Sequence, residues 1–200
     1  MAKLSKAYQT LLLALAQIGI ANAQTVLPTG ATRTDASIYD AAVFNDRAAV
    51  ERHLAKDARS VNARDKWGFT PLHGVAGVQH VDMARLLIAR GADVNAANDQ
   101  GITPLHLAAY PEMASVLVAA GARIGARDLR GNTPLHTATE HPEMLDVMER
   151  LLDLGADPNA RNSAGRTPLD FAIYAREQDK IALLLQHGAT PGSKPKTSQP

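Results

Sequence analysis

A five-residue motif, Gly-x-Thr-Pro-Leu, occurs four times in this 200-residue chain and constrains its fold more than any other feature. The copies begin at Gly68, Gly101, Gly131 and Gly165. Their threonines, at positions 70, 103, 133 and 167, recur every 30 to 34 residues. A repeat of this length predicts an array of small units, each of which buries its apolar face only against its neighbours.

Each copy also carries the signals of a short helix pair. In the first copy Thr70 suits a helix N-cap, and Pro71 suits the first helical position, where its missing N–H costs nothing. Apolar residues at i, i+3 and i+4 follow and predict one buried helical face. A second apolar helix is predicted over 81–90, and Gly91 stands where a left-handed residue ends a helix. The copies containing Thr70, Thr103, Thr133 and Thr167 are called repeats one to four below.

The motif Gly-x-Thr-Pro-Leu-His-x-Ala, with a terminal Gly-Ala-x-x-Asn, resembles the ankyrin repeat. The resemblance covers residues 35–190, including a divergent upstream unit in which Ser37 and Asp40 can form a capping box. It implies a mainly α fold, an ankyrin-type solenoid of about five stacked helix-turn-helix units joined by β-hairpin-like loops. Repeat four departs from the pattern, because Asp170 replaces the histidine and a polar run at 177–180 suits a solvated closing cap.

The N-terminal segment predicts export. Lys3 and Lys6 precede an apolar stretch over 11–20, and a small-x-small site ends at Ala23, as in a secretory signal peptide. We therefore expect a signal peptide at 1–23, a linker at 24–34, the repeat domain at 35–190 and a disordered tail at 191–200. The apolar stretch is too short for a stable membrane anchor. The expected location is the periplasm.

Composition and motifs argue against chemistry in this chain. It has no cysteine and a formal net charge of +1, so disulfides, thiol catalysis and a basic nucleic-acid footprint are not expected. His73, His106 and His136 recur at one repeat position, where an imidazole can hydrogen-bond the backbone of the neighbouring loop. Neither a zinc-protease nor a calcium-loop spacing occurs. We expect no enzymatic activity, no cofactor and no metal site.

Repeat two is three residues shorter than repeat one. The missing length lies between its two helices, where Pro111 must begin the second helix almost directly. Two interpretations stay open: a tolerated deletion in a turn, or a notch in the array that fits a partner.

Residues that the repeat pattern does not dictate are the candidates for partner binding. The resemblance places them at the loop tips and on the exposed side of the first helix. Trp67 is the only tryptophan and, with Phe69 nearby, suits an interface anchor, although both could instead pack against the N-terminal cap. The candidate residues are Lys66, Trp67, Phe69, Asp99, Gln100, Ile102, Tyr110, Leu129, Arg130, Asn132 and Arg166.

The expected function is protein binding by a periplasmic monomer. The resemblance to small exported ankyrin proteins of bacteria implies an accessory or assembly factor for another exported protein, such as a catalase in peroxide protection. The alternative is an immunity or inhibitor protein that blocks a secreted toxin or hydrolase. We expect neither a nucleic-acid partner nor a membrane anchor.

Overall fold

The computed structural model describes residues 37–192, and in this part of the chain the secondary structure is entirely helical. Nine α-helices and two short 3-10 helices are joined by loops, and no strand occurs between residues 37 and 192. The predicted mainly α fold is confirmed. The predicted signal peptide, the linker and most of the tail lie outside the described residues. No helix within 37–192 is long and apolar enough to span a membrane.

The chain divides after Asp93 into two compact units. The described part of the N-terminal unit contains α1 (Ile38–Val43), α2 (Arg47–Lys56), a 3-10 helix (Ala58–Asn62), α3 (Pro71–Ala76) and α4 (Val81–Ala89). The described part of the C-terminal unit contains a 3-10 helix (Pro104–Leu107), α5 (Pro111–Ala119), α6 (Pro134–Glu140), α7 (Leu145–Asp153), α8 (Pro168–Ala175) and α9 (Gln178–Gln186).

In the N-terminal unit, α1 packs against α2 and α3, and α3 packs against α4. The close approach of α1 and α3 depends on Gly74, because a Cβ there would lie 2.6 Å from Val43 Cγ2 and 2.8 Å from Tyr39 Cζ. The predicted capping box of Ser37 and Asp40 begins α1, and Asp40 N donates to Ser37 Oγ at 3.1 Å. The divergent upstream unit is therefore a helix pair like the others.

In the C-terminal unit, helices from successive repeats lie side by side. The first-helix row pairs α6 with the 3-10 helix and with α8, while α7 packs against both α5 and α6. Leucines and methionines at equivalent positions fill the core, and the fully buried members include Leu105, Met113, Leu117, Leu135, Met148, Leu151 and Leu184. This arrangement matches the expected stacking of repeats.

The first helix of repeat two is a single 3-10 turn, where repeats three and four have α-helices of seven and eight residues. Pro111 begins α5, as predicted from the short spacing. The residue before a proline is pushed out of the helical region, and Tyr110 is extended at φ −137°, ψ 142°. The chain must therefore leave the first helix early, after Leu107.

The expectation that residues 177–180 form a solvated polar run is wrong for Lys180. Its side chain is 1% exposed, and its Nζ donates to the carbonyl oxygen of Thr139 at 3.0 Å and also to that of His141. These carbonyls lie at the C-terminal end of α6, where a cation is favoured by the helix dipole. Burial lowers the pKa of Lys180, and the nearby carboxylates of Glu177 and Glu143 oppose that effect. The lysine thus ties the closing repeat to repeat three.

Candidate partner-binding surface

Four loops of the same construction precede the first helices. They are called loop one (65–69), loop two (98–102), loop three (128–132) and loop four (162–166). In each, the first residue donates its N–H to the carbonyl of the fifth, at 2.9 to 3.0 Å. The side chain of that first residue, an Asp or Asn, accepts N–H groups from the third and fifth residues. This double closure holds each predicted hairpin-like tip in one conformation.

In the C-terminal unit the three loops form a hydrogen-bonded row. Leu129 N donates to Gln100 O, and Ser163 N donates to Arg130 O, each at 2.9 Å. The third and fourth loops approach so closely at Gly131 that a Cβ there would lie 2.7 Å from Ser163 N. Gly131 also has φ +75°, which side chains rarely adopt. The row is therefore a preorganised surface.

Trp67 occupies the tip of loop one in the N-terminal unit. Its side chain is 38% exposed, and the ammonium of Lys66 lies 4.1 Å from the centroid of its ring. The backbone N–H of Trp67 is fixed by Asp65 Oδ1 at 2.9 Å. A large aromatic side chain on a rigid loop can be buried by a partner at a low entropic cost.

Three candidate residues are buried, so the expectation that they lie on an exposed tip is wrong. Phe69, Ile102 and Asn132 are 3%, 6% and 2% exposed. Each is the fifth residue of its loop, immediately before the N-cap threonine. Phe69 packs edge-on against His73, and Asn132 Oδ1 accepts from Asn162 Nδ2 at 2.8 Å. Arg166 holds the same loop position in the closing repeat but is exposed.

The other candidates remain accessible. Gln100 and Tyr110 are half-buried. The exposed candidates, in addition to Trp67, are Lys66, Asp99, Leu129, Arg130 and Arg166. Leu129, at 76% exposure, is the most exposed large apolar side chain of any loop tip among the described residues. The role of these residues in partner binding stays a prediction.

The closing repeat exposes an apolar group that the sequence analysis did not single out. It consists of Ile173 and Tyr174 on α8 and Leu185 on α9. The equivalents of Ile173 and Leu185 in repeat three, Thr139 and Leu152, are buried, whereas Glu140, the equivalent of Tyr174, is exposed.

The recurrent histidines join neighbouring repeats, as predicted from their position. In the C-terminal unit, the Nε2 atoms of His106 and His136 lie 3.1 Å from the carbonyl oxygens of Asn132 and Arg166, one loop further along. Their Nδ1 atoms accept the backbone N–H of Thr103 and Thr133 at 3.2 Å. These partners require a neutral imidazole with its proton on Nε2. Burial lowers the pKa of both histidines, which favours that neutral form.

The repeat threonines act as N-caps with the histidines as their partners. Thr70 Oγ1 lies 2.8 Å from His73 Nδ1, and the same contact measures 2.9 Å in repeats two and three. In repeat four the carboxylate of Asp170 accepts from Thr167 N at 2.8 Å. Within residues 37–192 no group of three or more His, Asp or Glu side chains is placed to hold a metal ion. The histidine geometry is that of a structural link.

Comparison with known families agrees with this geometry. The family model for ankyrin repeats in three copies matches residues 38–128 and 110–195. Mitochondrial disaggregase from Bos taurus is 36% identical over 163 residues, which cover 75% of this chain and 22% of that protein. Rabankyrin-5 from Mus musculus is 35% identical over 150 residues, which cover 74% of this chain and 11% of that protein.

A toxin also shares the repeat. Alpha-latrocrustotoxin-Lt1a from Latrodectus tredecimguttatus is 37% identical over 81 residues, or 40% of this chain and 6% of the toxin. The chain thus spans less than a quarter of the length of these relatives, and the similarity concerns their repeat regions. Ankyrin repeats are generally non-catalytic modules for protein–protein interaction. With four copies of the motif, their capping geometry and a family match over most of its length, this chain belongs to the ankyrin repeat family.

Proposed function

We propose that this protein is an exported accessory factor that binds another exported protein through its loop tips. The single observation that supports the proposal is the partial exposure of Trp67, an aromatic side chain on a loop whose backbone is fixed by Asp65. Trp, with Tyr and Arg, is enriched among the residues that dominate binding energy in protein interfaces. Exposed Lys66, stacked on the indole, keeps its cationic group at the edge of the same surface.

The proposed location is the periplasm, on the basis of the signal-like sequence at 1–23. Cleavage after Ala23 would leave a mature chain that begins at Gln24. Fractionation of cells that express the protein, followed by N-terminal sequencing, tests this directly. A chain that remains in the cytoplasm with Met1 intact would contradict the proposed export.

The partner proposed first is an exported enzyme, with a catalase or another peroxide-consuming haem protein as the named candidate. Affinity capture with the mature chain from periplasmic extract should retain this protein. Identification of a secreted toxin or hydrolase instead would support the inhibitor alternative, in which the same loop tips cover an active site. Both outcomes agree with binding through the tips, and the identity of the captured protein separates them.

The variant Trp67→Ala tests the anchor itself. We expect it to weaken capture by roughly 2 kcal/mol, which corresponds to about a 30-fold loss in affinity, without unfolding the domain. Phe44→Ala is the matched control, because Phe44 is another exposed aromatic residue of the N-terminal unit and lies at the C-cap of α1, outside loop one. The anchor role is wrong if Trp67→Ala unfolds the protein while each folded molecule still binds normally.

A further inference from the structure

Charge is unevenly distributed in the C-terminal unit. Residues 94–192 contain eight basic and twelve acidic side chains, a formal charge of −4. The two segments 120–132 and 154–166, which include loops three and four, hold five of the eight basic residues but only two of the twelve acidic ones. Arginine is thus concentrated on the loop side, while acidic residues lie mainly on and around the helices.

These arginines fall into two groups with different surroundings. Arg127 donates to the carbonyl oxygens of Gly131 and Arg161, and Arg161 donates to that of Gly165, so both hold the loops together. Arg130 and Arg166 are exposed at the loops themselves. The closest acidic group to Arg130 is Asp128, with a 3.6 Å contact. Arg166 makes no ion pair within the described residues.

Leu129 lies directly beside Arg130 on the same rigid loop. Its backbone N–H is bonded to loop two, while its side chain is 76% exposed. When another molecule covers this exposed leucine side chain, the burial of its apolar surface favours binding. The carboxylate of Asp128 is occupied by the N–H groups of Arg130 and Asn132, at 2.8 Å each, which spreads its charge over the loop backbone.

We propose that Leu129, Arg130 and Arg166, here called the arginine–leucine strip, bind an acidic segment of the partner protein. The two guanidinium groups pair with partner carboxylates, for which their planar donor geometry is suited. An apolar side chain of the same segment covers Leu129. This inference rests on the proposed function, because it assigns the chemistry of the partner that the loop tips bind.

A protein segment fits the strip better than a nucleic acid does. Residues 94–192 carry a net negative charge, and Asp99 precedes Gln100, whose carbonyl accepts from Leu129 N. Glu140 lies close enough to Arg130 for the two charges to interact: partial desolvation raises the pKa of Glu140, the charge of Arg130 lowers it, and the charge of Asp128 raises it. A continuous phosphate backbone would be repelled by these carboxylates, whereas a peptide can place acidic and apolar residues only where the strip accepts them.

The test uses the full mature chain and three fluorescent probes. These are a peptide that alternates Glu and Leu, the same peptide with Lys in place of Glu, and a single-stranded DNA oligonucleotide of equal length. Fluorescence anisotropy should detect binding of the acidic peptide alone. Raising salt from about 50 to about 300 mM should weaken this binding by roughly tenfold, because exposed ion pairs are screened.

Variants locate the binding on the surface. Arg166→Glu should weaken binding of the acidic peptide by at least about tenfold, the usual scale for losing an interface arginine. Arg150→Glu makes the same charge change at an exposed position of α7 and should alter the affinity less than about twofold. Leu129→Ala should weaken binding without changing its salt dependence, because it removes an apolar contact only.

The inference is overturned if the acidic peptide does not bind, if Arg150→Glu weakens binding as much as Arg166→Glu, or if DNA binds more tightly than the peptide. Its failure can be told apart from failure of the proposed function. If Trp67→Ala abolishes capture of the natural partner while Arg166→Glu and Leu129→Ala leave it unchanged, binding through loop one stands and the strip is not part of it. If the wild-type chain captures no exported protein, the proposed function itself fails.

Discussion

Two successive junctions in the C-terminal unit, repeat two to three and repeat three to four, use the same contacts on the loop side. At each, a buried histidine meets a loop carbonyl at 3.1 Å, and a loop N–H donates to the previous loop at 2.9 Å. The second junction has additional ties. The side chain of Asn159 donates to Gly188 O at 3.0 Å and accepts from Thr190 N at 2.7 Å, a pair of hydrogen bonds here called the asparagine bracket. In addition, Lys180 donates to carbonyls at the end of α6.

The first junction lacks the asparagine contact, because Gly125 stands at the position of Asn159. Asn95 makes the same bracket one repeat earlier, with bonds to Gly121 O at 2.9 Å and Arg123 N at 2.8 Å. In the N-terminal unit Asn62 does so with Gly91 O and Asp93 N. The comparison teaches that the loop contacts are the same at both junctions, whereas the Asn159 and Lys180 contacts occur at the second junction only. We expect these additional contacts to make the second junction the stronger of the two.

Replacing Lys180 should have the largest effect on this comparison. Lys180→Met leaves the carbonyls of Thr139 and His141 without their buried donor, so we expect a loss of about 2–3 kcal/mol in the free energy of unfolding. Urea denaturation measures the loss, and hydrogen exchange should show α9 opening first. Lys56→Met, at an exposed position of α2, is the control. A stabilised Lys180→Met protein would show that a packed apolar side chain serves better than the ionic tie.

Lys180 also shows where sequence reasoning reached its limit. The threonine caps, the helix-ending glycines and the histidine links could be predicted, because the backbone geometry of the repeat demands those residue types. The polar neighbours of Lys180 predict a solvated cap for this residue. Its register contained the contrary signal: it lies four residues before buried Leu184, as buried Met113 lies four residues before Leu117. Its carbonyl partners belong to another repeat, and no local pattern predicts them.

The candidate site was predictable in outline only. The repeat pattern locates the loops, and the exposure of Trp67 and Leu129 agrees with that placement. The pattern does not determine which way a loop side chain turns, so it predicts exposed positions for Phe69 and Ile102, which are buried. That choice depends on hydrogen bonds within the loop and on the next repeat, which a single motif does not contain.

Acid should weaken the contacts that both junctions share. The pKa values of His106 and His136 are lowered in the folded protein from 6.5, chiefly by burial. Above about pH 6.5 these histidines are neutral in both the folded and the unfolded protein, so the free energy of unfolding does not depend on their protonation. As the pH falls below about 6.5, the histidines of the unfolded chain bind protons first, and the folded protein becomes less stable. Each histidine then contributes a loss of at most about 1.4 kcal/mol per pH unit.

Urea midpoints between about pH 7.5 and about pH 5.5 measure this dependence. A glutamine can accept at one side-chain atom and donate at the other, so the double variant His106→Gln/His136→Gln should show a flatter profile. An unchanged profile in the double variant would assign the acid sensitivity to other groups, of which buried His141 is the first to consider, because burial lowers its pKa as well.

Removing the asparagine bracket should weaken the junction of repeats three and four, by less than Lys180→Met does. Asn159→Ala deletes the side-chain bonds to Gly188 O, Thr190 N and Thr190 Oγ1 at an exposed position, so we expect a cost of about 1 kcal/mol. Hydrogen exchange should accelerate at the amide of Thr190 and in α9, while α5 and α7 keep their protection. Equal acceleration throughout the C-terminal unit would mean that its junctions do not open separately.

Adding the bracket should strengthen the weaker junction. In Gly125→Asn the new side chain would reach Gly155 O and Asp157 N, the counterparts of the groups that Asn159 binds. A Cβ at this position would meet no atom within 4 Å, and the φ of Gly125 is not in the positive region that favours glycine. We expect a gain of about 0.5–1 kcal/mol from the hydrogen bonds and the stiffer unfolded chain.

Gly125→Ala supplies the stiffening without the hydrogen bonds, so the difference between the two variants measures the bracket. If alanine stabilises as much as asparagine, the ties on the helix side do not determine the strength of a junction, and the difference between the two junctions must then come from Lys180 alone.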